Sequence, residues 1–203
     1  MCYAGPMATR IKKKAAYHHG ALGQTLVDAA LRIARDRGVR AITLADAAKL
    51  AGVSAAAPYR HFADKEALLA AAAEACFVLF HTALNTARTS TTNALEGFFL
   101  QGEAYLAFAK QHPERLDLMF AMHFDFAAYA ELMLASNTVN DELTAAVRAL
   151  ADAGIVDGKR VDDLARQAWF FTHGAATIGM HPGSTDPTRT LRAGVTRLLG
   201  LPA

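Results

Sequence analysis

Hydrophobic positions recur along most of this chain at helical spacing. Leu22, Leu26, Ala29, Ala30 and Ile33 form one stripe at a period of about 3.6, with Asp28, Arg32, Arg35 and Asp36 outside it. Gly38 is placed to end that helix, as a residue free to take a left-handed conformation. Thr43 is expected to N-cap a short second helix over 44–51, and Gly52 to stop it. Val53 then points inward, and Ser54 caps a third short helix reaching about Phe62. Asp64 caps a fourth, over 65–88. Beyond it the pattern predicts helices over 94–111, 114–122, 126–153, 161–180 and 188–199, with Pro113 the first residue of its helix. A break is expected near Ser136–Asn137–Thr138, and Gly154 closes the helix that contains it. No repeat, low-complexity tract or strand pattern interrupts the series.

Composition agrees with an all-α fold. The 203 residues include 45 alanines against 9 valines and 5 isoleucines, so the best helix former far outnumbers the β-branched strand formers. With 53% apolar residues and a mean hydropathy of +0.14, a membrane segment must be considered. The longest apolar stretch, residues 67–80, is 14 residues and contains Glu74, below the ~20 needed to cross a bilayer. No transmembrane helix is expected. Cys2 and Cys76 make no disulfide framework and no secretory signal is visible, so a cytoplasmic location is the default. Met7 is an alternative natural start to Met1.

The net charge of +2 conceals an asymmetry. Residues 1–70 carry 11 Lys/Arg and 5 Asp/Glu, a net +6; residues 71–203 carry 10 and 14, a net −4. A basic end on an acidic body suits a polyanion-binding head on a separate effector domain, although a solvated basic surface would show the same numbers. The division expected is a flexible basic arm over 1–19, a small helical head over 20–66 and a larger helical body over 67–203.

The segment around Gly52 carries the chemistry. A helix-turn-helix needs a small residue where two helices cross, a glycine at the turn, an apolar residue after it and a cap for the second helix; Ala48, Gly52, Val53 and Ser54 supply these in order. The run 44–54 (LADAAKLAGVS), then Pro58-Tyr-Arg-His-Phe62, then Asp64-Lys-Glu-Ala-Leu-Leu69, resembles the signature of the tetracycline-repressor (TetR) family of bacterial regulators. The preceding Tyr17–His18–His19–Gly20 is similar to that family's first helix. Trp169 followed by His173–Gly174, together with His112–Pro113, resembles the "WHG" type of C-terminal domain in the family.

The resemblance implies a homodimer on a palindromic operator, released by a small molecule bound in the C-terminal domain. It places Thr43, Tyr59, His61 and Lys65 on phosphates, leaves Arg60 for guanine or phosphate, and presents Ser54, Ala55, Ala56 and Ala57 to the major groove. For His61, a structural role at the helix end is the competing reading. Relatives carry longer polar residues where this chain has three alanines, whose methyl groups make no hydrogen bonds to bases; DNA shape then contributes to specificity. Lys12, Lys13 and Lys14 are candidates for the minor groove or for a solvated tail.

In the body, Ala165, Ala168, Thr172, Ala175, Ala176 and Gly179 form a small-residue stripe that permits close helix approach, the expected dimer seam with the last helix. Candidates for the effector site are Phe80, Phe99, Tyr105, Met119, Phe120, His123, Trp169 and His173, implying an apolar or aromatic ligand. Induction by ~100-fold requires only ~2.7 kcal/mol of coupling. No cofactor or metal is expected. An enzyme is disfavoured, since no metal-ligand spacing, glycine-rich phosphate loop or nucleophile elbow is present, and Cys76 lies in an apolar helix. Control by a protein partner remains an alternative, whereas a DNA-packaging role conflicts with the acidic body.

Overall fold

The computed structural model describes residues 18–120, 122–178 and 186–202. Among these the chain forms eight α-helices and no strand: α1 (His18–Arg37), α2 (Leu44–Leu50), α3 (Lys65–Arg88), α4 (Ala94–Gln111), α5 (Pro113–Phe120), α6 (Ala130–Asp152), α7 (Val161–Thr177) and α8 (Pro187–Leu198). The arm with Lys12–Lys14, and Gly179 with the turn after it, lie outside the described residues.

Helix starts follow the capping residues. The side chains of Thr43, Asp64, Asn93 and Asp186 accept hydrogen bonds from the first-turn amides of α2, α3, α4 and α8, satisfying donors that have no intrahelical partner. Pro113 opens α5, where its missing N–H costs nothing.

The stripe on α1 is buried as its spacing predicts: Leu26, Ala30, Ile33 and Ala34 close on Ile42, Leu44 and Ala47 to form the core of the head. α3 is the spine of the molecule. It packs on α1 at the head and on α4, α5 and α6 in the body, burying Leu68, Ala72, Cys76, Phe77, Phe80 and Leu84. By length and composition α3 could cross a membrane, yet half of its most apolar window is enclosed by these neighbours. The expected domain boundary at 66/67 falls in its first turn. Helix α5 adds a second bridge, touching α1 and the 3-10 turn Val39–Ala41.

Two expectations for the helices of the body need correction. α6 runs unbroken through Ser136–Asn137–Thr138, because Leu132, Val139, Ala146, Val147 and Leu150 hold one face in the core; this outweighs the Thr138 hydroxyl's bond to the Leu134 carbonyl, which by itself favours a bend. The small-residue stripe of α7 faces its own chain: Ala165, Ala168, Thr172 and Ala176 are buried within the subunit, as are Leu191 and Val195 of α8. What α7 and its C-terminal cap present outward is apolar and larger, with Phe170 60%, Phe171 36% and Ile178 72% exposed.

Candidate DNA-binding face and effector cavity

Ala47 and Ala48, both buried, let α2 settle closely on α1. Its end is a hydrogen-bonded cap: the Val53 amide donates to Ala48 and the Gly52 amide to Lys49, with Gly52 at φ 70°, a conformation that a side chain would strain. The chain then turns into the segment that the sequence assigns to the major groove. This segment is not an α-helix. It is a tight turn over 54–57 followed by a 3-10 turn, Pro58–Arg60. The reason is local: Pro58 has no N–H to offer the Ser54 carbonyl, so that carbonyl accepts from Ala57 instead at 3.0 Å. The Pro58 ring is fully buried and serves as the segment's anchor in the head.

The winding puts Ser54, Ala55, Ala56, Tyr59 and Arg60 on the surface, with Tyr59 63% exposed, while Ala57 and His61 are half-buried. His61 packs beside Phe62 and against α1 at Gly23. Thr43 is exposed and caps α2, its Oγ1 accepting from the Asp46 amide and donating to the Asp46 carboxylate. Lys65 sits in the first turn of α3 and donates to the Arg40 carbonyl at 3.3 Å, which brings it beside the 40–43 turn that carries Thr43. Arg40, Lys49 and Arg60 are likewise exposed, whereas Asp64 is engaged in capping α3. Hydroxyl, phenol and cationic groups are therefore exposed on the small head, the chemistry that holds phosphates.

The body contains a partly open cavity of about 40 Å³ lined from α3, α4, α6, α7 and α8. Phe99, Tyr105 and Trp169 of the expected residues line it, together with Leu84, Phe98, Gln101, Gly102, Val139, Leu143, Ala168, Thr172, Leu191 and Val195. Gly102 lets α4 and α8 meet here: a Cβ at that position would stand 2.9 Å from Leu191 Cδ2. The cavity volume suits a few waters, whereas a cavity that holds benzene measures roughly 150 Å³, so a ring enters only as the lining side chains give way.

The other expected residues lie elsewhere. Phe80 and Met119 are core residues, with Phe80 beneath Tyr105 at a ring separation of 4.8 Å. Phe120 and His173 stand outside the cavity lining but join Trp169 in an aromatic stack: Trp169 lies parallel to His173 at 5.1 Å and Phe120 meets its edge at 4.9 Å. The Tyr105 hydroxyl meets His173 Nδ1 at 2.6 Å. Burial pushes the Tyr105 pKa up and the His173 pKa down, so phenol and neutral imidazole are the stable pair, with the hydroxyl donating. His123 is exposed and away from the cavity, a correction to its expected role; the 122–129 stretch that carries it is mostly irregular, and nothing there turns its ring inward. Cys76 is inert, its thiol pushed up to about 12 by burial. Among the described residues no three His, Cys, Asp or Glu side chains converge as a metal site.

Gln101 is the site residue that the aromatic pattern missed. It is 4% exposed, and neither Nε2 nor Oε1 has a partner in the fold. Each such unpaired group costs about 1–3 kcal/mol. A polar residue at 101, between Phe98 and Tyr105 on one apolar stripe of α4, was the signal in the sequence.

Comparison with known proteins gives the family of both the head and the body. Residues 26–72 match the model of bacterial regulatory proteins of the tetR family, and residues 98–199, half of the chain, match the tetracyclin repressor-like C-terminal domain. A solved protein of unknown function from Rhodococcus sp. RHA1 is 31% identical with a TM-score of 0.79, the alignment covering 93% of this chain and 99% of that one. The TetR-family regulator PfmR of Thermus thermophilus shares the fold at 17% identity, with a TM-score of 0.64 over 88% of this chain and 98% of its own. The transcriptional regulator BetI of Rhizobium meliloti (strain 1021) is 48% identical over 48 residues, so the match spans about a quarter of that relative's length and 24% of this chain. With a helix-turn-helix head and a tetracyclin repressor-like body both matched, the chain belongs to the TetR family of DNA-binding transcriptional regulators.

Proposed function

We propose that the protein is a repressor that occupies a palindromic operator as a homodimer and leaves it when a small apolar or aromatic molecule enters the body cavity. One observation carries the reading: a single helix, α3, begins at the DNA-binding face with Lys65 and lines the cavity with Leu84. Widening the cavity against α3 therefore acts on the element that holds the head. A second link runs through α5, whose Phe120 stacks on the His173–Trp169 pair while the helix touches α1. The effector must favour the DNA-incompetent head spacing, since equal affinity for both spacings would shift nothing. The outward apolar face of α7, with Phe170, Phe171 and Ile178, supports the dimer, and an operator-bound dimer represses by blocking polymerase.

The test is the salt dependence of binding to DNA from upstream of the protein's own gene. Affinity is expected to fall with a log–log slope of about −0.9 per phosphate neutralised. Lys65→Ala should weaken binding to all sequences alike and flatten the slope by about one phosphate, and Tyr59→Ala should weaken it without changing sequence preference. An affinity independent of salt would contradict the phosphate-centred head.

A further inference from the structure

We propose that the cavity selects uncharged, ring-sized molecules bearing one group that both donates and accepts hydrogen bonds, and that Gln101 is the residue that reads this group. The proposal rests on the cavity being the effector site. The Gln101 carboxamide is buried in the cavity wall with its donor and its acceptor both unpartnered, although a leucine or methionine would fill the same space without that penalty. Thr172 and Trp169 also bring a hydroxyl and an indole N–H to the lining, but Gln101 alone among the described residues has both a buried donor and a buried acceptor without partners. Tyr105 is bonded to His173, and Arg192, whose guanidinium lies 4.9 Å from the Phe99 ring centre, is held by Glu96 and Glu103.

Charge settles the rest of the chemistry. No Asp, Glu, Lys or Arg among the described residues lines the cavity, so a carboxylate or ammonium group would enter with no counter-charge. The Arg192 cluster just outside places two carboxylates against one cation, which further disfavours an anion. The walls of Phe98, Phe99, Tyr105 and Trp169 suit a planar ring. A primary carboxamide or lactam on that ring forms a reciprocal pair of N–H···O bonds with Gln101, matching both orphan atoms at once; a hydroxyl meets them less completely.

The experiment measures binding of benzamide, benzoate and toluene to the full chain and to its Gln101→Leu and Gln101→Met variants by calorimetry, beside the melting temperature of each protein. Benzamide is expected to bind the unaltered protein about tenfold more tightly than toluene or benzoate. In both variants benzamide should lose about tenfold and toluene should gain, while the melting temperature holds or rises as the unpaired amide is removed. A preference for benzoate, a benzamide-to-toluene ratio unchanged in the variants, or failure of both variants to fold would each overturn the assignment of Gln101. Binding of all three probes without an amide preference overturns this inference alone. Binding of none, with DNA binding intact, overturns the effector reading of the cavity as well.

Discussion

His173 shows how one residue's surroundings set its chemistry. Desolvation lowers its pKa from the ordinary 6.5, so the neutral ring is favoured in the fold and the unfolded chain binds the extra proton first. The stability that the neutral ring contributes is therefore complete above about pH 6.5 and is lost as the pH falls from there through the lower folded value. Replacing His173 with Gln removes that dependence. The difference in unfolding free energy between the two proteins should narrow on acidification below pH ~6.5, read by denaturant titration. A constant difference would show that the ring is not desolvated. At this scale the sequence was a good guide wherever a residue acts through its own backbone neighbours: Thr43 and Asp64 are caps, as their positions relative to the following helices require. It was a poor guide where the partner is remote. His123 and His173 were both candidates for the effector site, and only the contact of α4 with α7 gives one of them a buried partner.

At the scale of elements, the segment between α2 and α3 is the informative case. Helical spacing predicts a short helix there, but Pro58 in the middle of nine residues withholds one bond and the chain tightens into turns. Pro58→Ala is expected to restore the amide and lengthen the helix, raising the far-ultraviolet helical signal. It should also lower stability by about 1–2 kcal/mol, because part of a fully buried ring is lost. An unchanged helical signal would mean that head packing, and not the proline, shapes the segment. In α6 the opposite balance holds: Ser136 and Asn137 have weak helix preference, and five buried apolar residues on one face outweigh it.

For the whole molecule, the decisive surface is the outward face of α7. Small side chains at a helix seam pack equally well inside a subunit or between two, and here they are used inside, where α7 meets α4 and α6. The proposed dimer seam then falls to Phe170, Phe171 and Ile178. Ile178→Glu and Phe170→Asp, both on the exposed side, are expected to leave the fold intact and to yield monomers by light scattering. Operator affinity should fall by more than about tenfold, since two half-sites are no longer held by one body. Dimers of undiminished DNA affinity in both variants would place the seam elsewhere.

The order and ends of most helices, the head and its family were legible in the residues alone, because caps, turns and apolar periodicity act within a few positions along the chain. The side of α7 that faces inward, the choice of which aromatics line a cavity and which fill the core, and the orphaned amide of Gln101 emerged only once distant helices were packed. Burial is a relation between elements far apart in sequence, and the same alanine, phenylalanine or glutamine satisfies the local rules in either setting.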